Sequence, residues 1–162
     1  MCRAPWVSLA FQPEGLAPCC VFDLKHLPQN NKNIHQSMQP LREQFLSGQV
    51  PDGCQKCHQN HMNGFPTYAR SFDRYPTNFK ETQIQEINIK ANNFCNLKCR
   101  SCGPHFSSKW QEEIGQVFHI TKDTNISGKL AQIDYSKLTQ IVFAGGEPTI
   151  QLEHVQVLTH LI

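Results

Sequence analysis

No stretch of this sequence is apolar for the roughly 20 residues that a membrane-spanning helix needs. The N-terminus, Met1-Cys2-Arg3-Ala4-Pro5-Trp6, lacks the basic-then-apolar pattern of a secretory signal. A cytoplasmic protein with no membrane partner is therefore expected. Charge is also scarce: 17 % of residues are charged and the formal net charge is +2. That is too little to imply a nucleic-acid or membrane-surface site. There is no internal repeat. Hydrophobic residues make up 39 % of the 162, enough to build a core for one ordinary domain or two small ones.

Cysteine is what the sequence does have, with eight residues. In a reducing compartment, clustered cysteines bind metal or do redox work more often than they form disulfides. They fall into two groups. Cys2, Cys19, Cys20, Cys54 and Cys57 come first, and Cys95, Cys99 and Cys102 follow a long gap. The turn-like Tyr75-Pro76-Thr77-Asn78 lies in that gap. Residues 1–80 are therefore expected to form one module and residues 81–162 another.

The first segment is broken up by turns. Trp6 to Phe11 reads as a strand, and Leu16 to Phe22 as its hairpin partner beyond Pro13-Glu14-Gly15. Residues 29–39 are polar and read as a loop. Leu41 to Leu46 reads as a short helix entered after Pro40. The second segment alternates strand and helix patterns. Ile84 to Ala91 and Leu138 to Ala144 read as strands, and the apolar run Ile141 to Ala144 suits a parallel strand covered on both faces. Ser107 to Phe118 and Leu152 to Leu161 read as helices, the first capped by Ser107 or Ser108. This order predicts an α/β fold with βαβ units and a parallel sheet. The chain stops inside the last helical pattern.

Cys95-x3-Cys99-x2-Cys102 directly follows the strand Ile84 to Ala91. Thiolates are the usual ligands of iron–sulfur clusters, and a cubane has four irons. Three cysteines on one loop hold three irons and leave the fourth open, as in reactive metal centres. Spacing alone also permits a structural zinc site of three cysteines and His105. Gly145-Gly146-Glu147-Pro148 ends the next strand. Its glycines let a ligand approach the backbone, and Glu147 offers a carboxylate to a cation. Taken alone, it is also an ordinary strand-to-helix turn with Pro148 near the first helical position.

Together the two motifs resemble the radical S-adenosylmethionine superfamily, which carries CxxxCxxC after its first barrel strand and GGEP after its second. The resemblance implies that Cys95, Cys99 and Cys102 bind a 4Fe–4S cluster. It implies that Gly145, Gly146 and Glu147 hold the methionyl part of S-adenosylmethionine, whose amino and carboxylate groups chelate the open iron. Reductive cleavage would give a 5′-deoxyadenosyl radical that takes hydrogen from a peptide or small-molecule substrate. An electron donor such as flavodoxin or ferredoxin is implied as a partner. The family's barrel has about six strand–helix units and two are visible, so the sequence reads as the first part of a partial (β/α) barrel, a fragment inactive alone.

Cys2 to Trp6, Gly15 to Cys20 and Gly48 to Cys57 resemble the SPASM/twitch modules that carry auxiliary 4Fe–4S clusters. The implied ligands are Cys2, Cys54, Cys57 and one of Cys19 or Cys20, with Cys19 preferred beside Pro18. Arg70 resembles a basic residue of these modules, and also reads simply as a solvated surface arginine. Cys54-x2-Cys57-His58 matches a haem-attachment pattern, and with His61 a zinc knuckle. The alternative to an enzyme is thus a zinc-stabilised interaction module. His26, His35, His119, His154 and His160 show no ligand spacing and read as surface or partly buried residues.

Overall fold

The computed structural model describes residues 1–26, 33–116 and 126–161. The chain opens on a helical turn, α1 (Ala4–Val7), with Pro5 in its first positions. β1 (Ser8–Gln12) follows and turns back into β2 (Gly15–Ala17). The hairpin is present, but shorter than the sequence pattern indicates. Trp6 and Val7 belong to α1, because Pro5 fixes a helical φ. Trp6 is anchored there by its indole N–H, which donates to the Phe79 carbonyl at 3.0 Å.

α2 (Ile34–Leu46) occupies much of the run read as a loop, and residues 29–32 of that run lie outside the described residues. The Asn33 side chain caps α2, accepting from the amides of His35 and Gln36 at 2.9 and 3.2 Å. Ile34, Met38 and Leu41 form its buried stripe, and Phe45 continues it. Pro40 sits inside this helix rather than at its start. It lies on the exposed side, where the Gln36 carbonyl that loses its donor can face water.

Two short helices, α3 (Gln55–Met62) and α4 (Tyr68–Ser71), precede β3 (Glu86–Ile89). α5 (Ser108–Ile114), α6 (Ile126–Leu130), β4 (Gln140–Phe143) and α7 (Leu152–Leu161) complete the described chain. Ser107 caps α5, and Gly115 ends it in a left-handed conformation. Val117, Phe118 and His119 lie outside the described residues.

The strands make one sheet in the order β2-β1-β3-β4. β1, β3 and β4 are parallel, and β2 is antiparallel at one edge. Ser8, Glu86 and Gln140 stand level, as do Phe11, Ile89 and Phe143. The architecture is mixed α/β. β1 precedes residue 80 and β3 follows it, so the sheet joins the two segments. Trp6, Leu9, Phe11, Met38, Phe72, Ile87 and Ile89 are almost fully buried around it. Each such side chain contributes about 1.5–3 kcal/mol by leaving water. β4 is only half-buried despite its apolar run, because it is the sheet edge among the described residues. No helix among them is long and apolar enough to cross a membrane.

This topology places the cysteines. The loops carrying Cys95 and Gly145 leave the C-terminal ends of β3 and β4, which are adjacent and parallel. Cys2 enters β1 at the opposite end, and antiparallel β2 returns the chain to that end before Cys19. The two cysteine groups therefore lie at opposite ends of the sheet.

Candidate metal centres

Helix α5 grips the three-cysteine loop at successive points. The Ser108 hydroxyl accepts from the Cys95 amide at 3.0 Å and donates to the Cys95 carbonyl at 3.1 Å. The Ser107 hydroxyl donates to the Leu97 carbonyl at 2.8 Å while capping the helix through the Trp110 amide. The Trp110 indole N–H donates to the Cys99 carbonyl at 3.1 Å. A Lys98–Glu113 ion pair closes the same contact. Cys95 is buried, Cys102 half-buried and Cys99 exposed, and all three are free thiols. The Leu97 amide donates to the Cys95 sulfur at 3.4 Å, the kind of bond that stabilises a ligating thiolate. Replacing Ser107 by Ala removes both the cap and the Leu97 tie. The expected loss is about 1–2 kcal/mol, read as a lower denaturant midpoint.

The 145–147 loop packs directly on this one. The Gly146 amide donates to the Phe106 carbonyl and the Glu147 amide to the Phe94 carbonyl, both at 2.9 Å. Buried Gln151 ties the pair, its Nε2 donating to the carbonyls of Gly145 (2.9 Å) and Phe94 (3.2 Å). A Cβ on Gly146 would lie 2.1 Å from the Phe94 oxygen. The Glu147 carboxylate accepts from the amide and hydroxyl of Thr149 at 3.1 and 2.6 Å, both through Oε1. These bonds hold its pKa below the usual carboxylate range. Gln151, Ser107 and Ser108 are positioning residues whose contacts the sequence did not reveal. Only the Ser cap signal was visible there, and Gln151 reads as an ordinary helix-start polar residue.

At the other end of the sheet, Cys2, Cys19, Cys54 and Cys57 line one cavity of about 530 Å³. A 3-10 turn (Asp52–Cys54) presents Cys54, and α3 begins between it and Cys57. The Asp23 amide donates to the Gly53 carbonyl at 3.0 Å, which joins the Cys19 and Cys54 loops. Cys20 is exposed and is not part of this lining. Burial pushes the Cys2 thiol up to about 11, Cys54 up to about 12 and Cys19 well above its ordinary value. Neighbouring thiols push Cys19 and Cys54 further the same way. Such thiols ionise readily only when a metal takes the proton's place. His58, His61 and Arg70 also line the cavity.

Among the described residues, no three of His, Cys, Asp and Glu converge where a single metal ion would sit. His105, His58 and His61 are exposed. A cubane is held at separate irons, so its thiolates stand farther apart than the donors around one ion. Of the remaining histidines, His154 is fully buried, deeper than its sequence context indicates. It packs on Phe143 with ring centroids 4.8 Å apart, and its Nδ1 lies 3.1 Å from the Pro148 carbonyl.

No curated protein and no solved structure matches the chain. Residues 89–162 match the family model of the 4Fe-4S single cluster domain, which begins at the last residue of β3 and takes in both C-terminal loops. A 4Fe–4S cluster is the group that this match supports for the second segment.

Proposed function

We propose that the chain is a radical S-adenosylmethionine protein. Cys95, Cys99 and Cys102 would hold the cluster whose open iron takes S-adenosylmethionine, and Cys2, Cys19, Cys54 and Cys57 a second cluster. The observation that carries the reading is the packing of the 145–147 loop on the cysteine loop at adjacent parallel strand ends. That packing sets the 145–147 loop against Phe94, the residue before Cys95, and Phe106, four residues past Cys102. When bound, the reduced cluster supplies the electron that breaks the sulfonium C–S bond, which leaves methionine and a carbon radical able to take hydrogen from a substrate. The protein's part is placement. α5 and its cap hold the backbone of Cys95, Leu97 and Cys99, and the Glu147 Oε2 is the oxygen it would offer the methionyl ammonium.

Anaerobic reconstitution with iron and sulfide tests both sites. The expected product is brown, carries two cubanes and shows an EPR signal on reduction that changes when S-adenosylmethionine is added. Colourless, air-stable protein that takes up zinc in place of iron would reject the reading.

A further inference from the structure

β3 carries a carboxylate where a core strand ordinarily carries an aliphatic side chain. Glu86 is 1 % exposed. It accepts four hydrogen bonds: from Tyr75 Oη at 2.7 Å, Asn88 Nδ2 at 2.8 Å, Arg74 Nη2 at 2.9 Å and Tyr68 Oη at 3.1 Å. Burial pushes its pKa up, but these donors outweigh burial and hold the carboxyl below its usual range. Three of the four belong to one segment, residues 68–75. Other residues of that segment, Ala69, Arg70, Phe72 and Asp73, line the four-thiol cavity.

The segment is held from a second direction. Arg3, next to Cys2, donates to the carbonyls of Asp73 at 3.1 Å and Tyr75 at 2.8 Å.

We propose that Glu86 is the positioning residue of the four-thiol site: it fixes residues 68–75 as the cavity wall. This rests on the reading of that cavity as a cluster site. Its simplest competitor is a role in overall stability alone. The two separate because β3 also leads into the Cys95 loop at the far end of the sheet. General destabilisation would loosen both ends, whereas loss of the wall would loosen one.

The test is Glu86→Gln in the full chain, with Tyr68→Phe as a milder variant that keeps the ring and removes the hydroxyl. In metal-stripped, reduced protein, iodoacetamide labelling is followed at each cysteine by mass spectrometry. The expected result is labelling of Cys19 and Cys54 about tenfold faster in Glu86→Gln, with Cys95 unchanged. Tyr68→Phe should show a smaller increase there, and add little in the double variant. Equal acceleration at Cys95, or no acceleration at Cys19 and Cys54, overturns the proposal. A second readout uses reconstituted protein carrying Cys99→Ala, where Glu86→Gln should change the EPR line shape of the remaining cluster. If no cluster remains in that background, the two-cluster reading fails, while the labelling still decides the role of Glu86.

Discussion

Cys99→Ala should lose about half of the reconstituted iron and the EPR response to S-adenosylmethionine, while one EPR signal persists. Cys99 is the exposed middle cysteine of its loop, so its removal would leave two thiolates for one cubane. The rest of the loop should survive, because α5 holds it through the backbone of Cys95, Leu97 and Cys99 and not through the Cys99 sulfur. The four thiols at the opposite end of the sheet share no hydrogen bond with that loop. Replacing Cys54 by Ala should give the converse, leaving the iron whose signal responds to S-adenosylmethionine. Iron analysis and EPR of the two variants side by side make the measurement. If Cys99→Ala keeps all of its iron, the loop is not a cluster site. If it loses all of it, the two sites are not independent.

The candidate site was legible wherever it lay in short-range spacing. Cys95-x3-Cys99-x2-Cys102 and Gly145-Gly146-Glu147 are each confined to one strand end, and the strands before them carry patterns that the structure keeps. The cap on α5 was legible for the same reason, since Ser107 and the amide it accepts from are three residues apart. What the sequence hid depends on long-range pairing. The parallel register of β1 with β3 sets the two cysteine groups at opposite ends of the sheet, and no local pattern encodes it. Glu86 reads as a solvent-facing residue of an alternating strand. Its burial depends on Tyr68, Arg74 and Tyr75 arriving from a separate segment. Pro40 misled through a sound local rule, because proline ordinarily marks a helix start. Here the exposed side of α2 tolerates the missing hydrogen bond.

Gly146→Ala should be strongly damaging, for two separable reasons. Gly146 has φ of 58°, a left-handed conformation in which a Cβ is strained. That Cβ would also lie 2.1 Å from the Phe94 oxygen and 2.3 Å from Gln151 Nε2. Neither neighbour can yield easily. The Phe94 carbonyl accepts from both the Glu147 amide and Gln151, and Gln151 is buried. The methyl must therefore push the 145–147 loop off the cysteine loop. Strain and overpacking together should cost about 2–5 kcal/mol. Gly64→Ala isolates the first term, because Gly64 has φ of 77° with nothing within 4 Å of its would-be Cβ. It should cost only the backbone strain, about 1–2 kcal/mol. Denaturant midpoints of the two variants give the difference, and reconstitution shows its consequence. Gly146→Ala should retain the cluster of the four-thiol cavity yet lose the EPR response to S-adenosylmethionine, whereas Gly64→Ala keeps both. Equal costs at the two glycines, or an unchanged response in Gly146→Ala, would show that contact between the loops does not build the site.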